Sequence, residues 1–319
     1  MQPLAPPARA QAATETAPAA GTAAAGVPAA PPATGTLSVE LGAGSERLSS
    51  PLIRLSPDGT LVFVDGLTRI DGSFRRVVVS GVRDVPLGDS TRMTVGGRLD
   101  EKSSPDAPDL GFRFASLDAI VRRPAGGGTL GIGPSLQRIW VAGRLFRDVA
   151  ALHVDWTRVE PERGYTAWVA ELGTNRHRGV HADLDGNVLA VSTHRKSKQP
   201  FPWLDGLDFD AGVRREVNAN GFADLASRSA WARVSADRRF AGATWSVGAM
   251  LQRAWFDAAL FDDTPARRDR YRLLDAAVEI ELAPRRTLRV EAIDARNSST
   301  LALYENRYRL VGVTLTLGW

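Results

Sequence analysis

The chain has 319 residues, 44% hydrophobic and 24% charged, with 40 Lys and Arg against 36 Asp and Glu and no cysteine. No run approaches the roughly 18–20 consecutive apolar residues of a membrane helix; this excludes a helical membrane protein but not a β-barrel, whose signal per strand is weak. The bases are interleaved with acids and form no stripe of the kind nucleic acid needs, and the lack of cysteine suits a chain exported to an oxidising compartment.

Residues 1–35 are Ala, Pro, Gly and Thr with almost no large side chains. Such a segment cannot bury enough apolar surface to offset its ordering, so it reads as disordered: a signal remnant or a periplasmic linker. Ala8-Arg9-Ala10 has the small-x-small look of a signal-peptide end, without the apolar region that should precede it.

Residues 36–319 read as strand after strand. Leu37, Val39 and Leu41 alternate with Ser38, Glu40 and Gly42, and Met93, Val95 and Leu99 with Arg92, Thr94 and Arg98. The same two-residue period runs through Ala115–Val121, Ala150–Trp156, Leu207–Val213, Ala230–Ala236 and Leu274–Leu282. The predicted strands, about fourteen with a range of twelve to sixteen, lie near 36–46, 73–86, 91–102, 109–123, 128–143, 146–159, 164–177, 187–195, 206–217, 228–238, 243–256, 270–283, 286–297 and 307–319.

Connection lengths separate a barrel from a soluble sandwich. An outer-membrane barrel has short turns on one side and long loops on the other. The first connection is a long excursion through Pro51, Asp58-Gly59 and Asp71-Gly72; then tight links at 86–89, 124–127, 161–164, 239–242 and 283–285 alternate with longer ones at 103–108, 217–227, 256–269 and 297–306. Two places break the rule: Gly143–Phe146 is too short for an outer loop, and Lys196–Asp205, with Pro200, Pro202 and Trp203, is too long for an inner turn. Trp140, Trp156, Trp245, Trp255 and Trp319 fall near strand ends, where an aromatic girdle belongs.

The final stretch is the most regular. Val311, Val313, Leu315, Leu317 and Trp319 share one face, and Gly312, Thr314, Thr316 and Gly318 the other. A last alternating strand ending on an aromatic resembles the assembly signal of bacterial outer-membrane barrels. The expected fold is therefore an all-β, transmembrane, antiparallel up-and-down barrel over 36–319. It would lie in the outer membrane of a Gram-negative bacterium with a periplasmic N-terminus, with membrane lipid and the barrel-assembly machinery as partners.

Arg267-Arg-Asp-Arg-Tyr-Arg, Pro284-Arg-Arg, Arg296-Asn-Ser-Ser-Thr and Tyr304-Glu-Asn-Arg-Tyr, placed before and around the last strands, resemble the C-terminal barrel of the surface lipoprotein assembly modifier family. They are more loosely similar to polysaccharide-export porins. The resemblance implies a barrel of about fourteen strands, passage of a surface polymer or lipoprotein, and a periplasmic export partner. The tetratricopeptide helices usual before such barrels have no counterpart here.

In a barrel the charged face points inward. The predicted pore-lining residues are Arg92, Arg98, Asp118, His153, Asp155, Asp208, Asp210, Arg214, Arg233, Asp237, Asp275, Glu279, Glu281 and Glu291, with Arg233 and Arg214 facing Asp208 and Glu279 as the constriction. His153 and Asp155 share a face and could be half of a hydrolase site, although no Gly-x-Ser-x-Gly or His-Glu-x-x-His motif accompanies them. His177 and His181 are an incomplete ligand set, and Asp185-Gly186-Asn187 reads first as a turn, so no metal or cofactor is expected. An export conduit is the leading reading, a passive diffusion porin the alternative, and an outer-membrane hydrolase the third.

Overall fold

The computed structural model describes residues 35–55, 61–259 and 264–319. The expected disorder over 1–35 and the signal-like Ala8-Arg9-Ala10 thus lie, save for Gly35, outside the described residues. The described chain is one closed antiparallel barrel of fourteen strands, each paired with its sequence neighbours and the last with the first. The strands are β1 (Gly35–Leu55), β2 (Leu61–Pro86), β3 (Arg92–Ser103), β4 (Phe112–Ala125), β5 (Gly128–Val141), β6 (Arg144–Glu160) and β7 (Gly164–His177). They continue as β8 (Gly186–Phe201), β9 (Leu204–Asn218), β10 (Ser227–Phe240), β11 (Ala243–Phe256), β12 (Arg268–Ala283), β13 (Arg286–Ser299) and β14 (Asn306–Gly318). Short 3-10 turns at Pro108–Leu110, Gly179–Leu184 and Ala302–Tyr304 sit in the longer loops.

Both breaks in the loop parity have a local cause. β8 runs on through Lys196–Phe201 and meets β9 in a tight hairpin, absorbing Gln199 (φ 45°) and Pro200 in a register shift between Lys198 and Phe201. The prolines that suggested a loop sit in and beside this irregularity, where no ladder N–H is missed. The short link between β5 and β6 is real: Ala142 (φ 49°) and Gly143 (φ 74°) both take the left-handed conformation of a two-residue hairpin turn.

The long excursion after the first strand is corrected. β1 and β2 keep pairing from Arg47↔Asp71 to Leu55↔Leu61, past the last rungs that β14 and β3 offer at Ser49↔Arg307 and Arg75↔Ser103. The two strands therefore project from the barrel as a hairpin, with Pro51 at its register shift. Asp58-Gly59 lies outside the described residues.

Alternation sorts the side chains. Leu41, Val79, Leu117, Leu136, Leu172, Leu189, Val213, Val247, Leu274 and Val311 lie on one face of their strands and stay between 37% and 63% exposed. In a water-soluble protein so continuous an apolar surface would be a severe liability; around a closed barrel it is a lipid-facing belt. Trp156, Trp168, Trp245 and Trp319 lie toward the short-turn rim of this outer face, and Trp140 and Trp255 near the long-loop rim. Trp231 alone among the described tryptophans of the strands points inward, opposite Gly212 and Gln252. The molecule is a barrel built to sit in a membrane.

The seam between β1 and β14 is a full ladder from Ser38↔Gly318 to Ser49↔Arg307, closed by Leu37 and Trp319, whose backbones exchange hydrogen bonds of 3.3 and 2.8 Å.

Candidate lumen

The other face of every strand lines the interior. Fourteen strands lie between the eight whose side chains fill a bore and the sixteen to eighteen that leave an aqueous channel, so the side chains decide. Arg92, Arg98, Asp118, His153, Asp155, Asp208, Asp210, Arg214, Arg233, Asp237, Asp275, Glu279, Glu281 and Glu291 are all on inward-facing rungs. The imagined constriction does not form. Arg214 reaches Glu216 at 2.6 Å and Arg233 reaches Asp275 at 2.7 Å, while Asp208 lies 3.5 Å from Lys196 and Glu279 lies 3.9 Å from Arg289. Arg214 is taken by an acid two residues along its own strand, and the other cations by acids one or two strands away.

The inward side chains lie down along the wall. Asp118 faces Gly96, Asp155 faces Gly131, Asp237 faces Gly206, Asp275 faces Gly248, Trp231 faces Gly212 and Phe74 faces Gly44, each directly across a strand pair. A Cβ on Gly96 would meet Asp118 at 2.7 Å, one on Gly248 would meet Asp275 at 2.7 Å, and one on Gly44 would meet Phe74 at 2.8 Å. Glycine on one strand thus makes the bed for the acid or ring of the next. Inward glycines were visible in the alternation, but which acid each receives depends on register.

His153 is held on both sides: Nε2 is 3.3 Å from Asp155 and Nδ1 is 3.4 Å from Glu171. Asp155 also accepts a hydrogen bond from Arg122 at 2.6 Å. A general base needs one ring nitrogen free for the nucleophile's proton. Here both face carboxylates, an arrangement that braces the wall.

The long-loop mouth carries residues that the alternation alone did not single out. Glu46 of β1 is fully buried and forms an ion pair with Lys102 of β3, itself buried. Glu46 also accepts hydrogen bonds from Ser104 Oγ at 2.5 Å and Tyr308 Oη at 2.8 Å. The Lys102 ammonium sits 5.5–5.9 Å from the ring centres of Phe74, Phe112 and Tyr308, an aromatic cage on one charge. The loop between β3 and β4 packs in from above, where Ala107 and Leu110 cover Leu48, Ile70 and Tyr308, and Ala107 rests on Gly72. Ser73 hydrogen-bonds Asp106 in this loop at 2.6 Å and holds its carboxyl below the usual range. On the loop after β7, burial alone would raise Asp185, but the His177 backbone N–H and Arg176 outweigh it and its pKa falls.

Below this mouth a cavity of about 70 Å³ is lined by Arg76 and Lys102 from β2 and β3 and by Arg233, Asp275, Arg289 and Glu291 from β10, β12 and β13. β3 and β10 are seven strands apart either way round the barrel, so this cavity is lined from opposite sides of the ring. Arg76 is fixed by Asp100 through two hydrogen bonds of 2.8 and 2.5 Å, with Arg98 on the same carboxylate at 3.2 Å.

No family model matches the sequence, and no curated protein matches it. In fold it is similar to OccK9 (OpdG) of Pseudomonas aeruginosa, with 11% identity over 89% of this chain and 98% of that chain at a TM-score of 0.45. The Pseudomonas aeruginosa outer membrane protein opdK gives 8% identity, 89% and 99% coverage and a TM-score of 0.42. OccAB4 of Acinetobacter baumannii gives 7%, 89% and 98%, and 0.43. The resemblance to the surface lipoprotein assembly modifier family is corrected: no family model matches, and the solved structures the chain is similar to are those just named, none of them a member of that family by name. The motifs that suggested it are strand ends and turns, which the physics of any membrane barrel repeats.

Proposed function

We propose that the chain is a passive outer-membrane pore for small solutes, with the short turns and both ends of the barrel sequence on the periplasmic side. The observation that carries this reading is the inner wall, where acids and rings lie flat over glycines of the neighbouring strand and cations are paired along the wall. Side chains laid along the wall in this way favour a bore filled by water over one filled by side chains, and a small cavity is lined from opposite sides of the ring. A polymer or a folded lipoprotein would need a wider clear bore, so export is the weaker reading. The hydrolase reading loses its base, since both nitrogens of His153 are engaged.

The test is the refolded full chain in liposomes and planar bilayers. A pore gives steady single-channel conductance and liposome swelling that falls as a neutral sugar grows from a mono- to a trisaccharide. A silent barrel, or swelling that ignores sugar size, overturns it.

The closing strand is also proposed as the signal read by the assembly machinery, with Val311, Val313, Leu315, Leu317 and Trp319 presenting its apolar edge. Deleting Trp319 removes one aromatic from the girdle and two backbone hydrogen bonds from the seam. The expected result is a lower yield of heat-modifiable barrel in isolated outer membranes while the same variant still refolds in detergent. An unchanged cellular yield would refute the signal.

A further inference from the structure

The outer face changes character abruptly at one level. On β11, β12 and β14 the lipid-facing rungs pass from Leu251, Leu274 and Val311 directly to arginines on the long-loop side, and on β13 from Ala292 through Asp294 to Arg296. These arginines stand opposite one another: Arg253↔Arg270, Arg272↔Arg296, Arg296↔Arg307 and, across the seam, Arg309↔Arg47. Like charges directly opposite on a sheet destabilise it unless something bridges them. Asp294 serves Arg307 and Arg309, and Asp71 serves Arg47 and Arg69. Among the described residues no carboxylate pairs with Arg253, Arg270, Arg272 or Arg296, which are all exposed.

The far side of the same barrel is built differently. There Arg113 pairs with Glu101 at 2.9 Å, and Asp148 takes both Arg138 at 2.6 Å and Arg178 at 3.0 Å. The imbalance therefore belongs to one sector and not to the rim as a whole. Beside that sector, on the lipid-facing wall, lies an apolar groove of about 320 Å³ formed by Leu189, Val191, Val213, Ala230 and Trp255. Arg228 flanks this groove and leads from it, past Trp255, to Arg253.

We infer that this sector binds a phosphate-bearing lipid of the leaflet on the long-loop side. Its phosphates bridge the facing arginines of β11 to β14, and an acyl chain lies in the groove between β8 and β11. Guanidinium is the group suited to this task, since it meets phosphate through two parallel hydrogen bonds and tolerates partial desolvation. The apolar groove and the belt below the arginines select a lipid over a free ion, because a soluble phosphate gains nothing from them.

The experiment uses the full chain in a non-ionic detergent and bisphosphorylated lipid A as the probe, read by native mass spectrometry and by titration. The expected result is retention of lipid A by the unmodified protein and about tenfold weaker binding by the double variant Arg272→Gln/Arg296→Gln, as loss of paired charge-assisted contacts requires. Arg113→Gln on the balanced side should bind as the parent does. Dephosphorylated lipid A should bind the parent about tenfold less, which tests the idea even where the double variant fails to fold. Millimolar inorganic phosphate should not displace the lipid. Equal binding by the double variant, equal binding of the dephosphorylated lipid, or displacement by inorganic phosphate would each overturn the proposal.

Discussion

Lys102→Met should destabilise the barrel by about 3–5 kcal/mol, the cost of leaving a buried charge without its partner. The Glu46 carboxylate is 0% exposed, and Lys102 is its counter-ion. Ser104 and Tyr308 would still donate to it, but two neutral donors do not neutralise a full charge in so dry a place. The methionine would keep most of the packing against Phe74, Phe112 and Tyr308, so the loss reports the charge and not a cavity. The double variant Glu46→Gln/Lys102→Met should recover most of the stability, since a neutral amide needs only hydrogen bonds. Denaturant unfolding in detergent, followed by the shift in gel mobility, measures both. A single variant as stable as the parent would mean that water reaches Glu46 and that the mouth is open there.

Arg233→Ala should turn the pore toward cations. Arg233 lines the cavity shared by opposite sides of the ring and balances Asp275 at 2.7 Å. Removing it uncovers the Asp275 carboxylate in that cavity and enlarges the cavity. An uncompensated charge about 4 Å from a passing ion contributes about 1 kcal/mol even in bulk-like water, roughly a fivefold change in the cation-to-anion permeability ratio. Asp275→Asn should move the ratio the other way. Reversal potentials under a salt gradient read both effects, and they should shrink at high salt as screening lengths shorten. A ratio unmoved by either change would place the selectivity elsewhere, with the mouth around Lys102 the next candidate.

The barrel itself was legible because a membrane strand has to advertise two faces. Leu41, Leu274 and Val311 meet lipid, their neighbours in sequence do not, and the alternation survives in every strand. Tight turns were legible for the same local reason, as at Ala241-Gly242, with φ of 52° and 79°. Local signals misled where proline appeared. Pro51, Pro200 and Pro202 suggested loops, yet Pro51 and Pro200 fall at register shifts that a sheet tolerates and Pro202 falls in the tight turn between β8 and β9.

The inward assignment of the charged residues also followed from alternation, but their partners did not. Glu46 and Lys102 are 56 residues apart, and Tyr308, which shares the same carboxylate, is 262 from Glu46. No local pattern links them; closure of β14 on β1 does. The glycines at 96, 131, 206 and 248 become meaningful only when register sets each beneath an aspartate. The arginine sector is of the same kind. Each strand alone carries one to three arginines above its apolar run, an ordinary interfacial ending, and only side-by-side pairing makes them face one another. By itself, then, the sequence determined which face of each strand meets lipid, since that choice is made residue by residue against the surrounding medium. Only the tertiary structure decided which charges meet, because register and closure are properties of the whole ring.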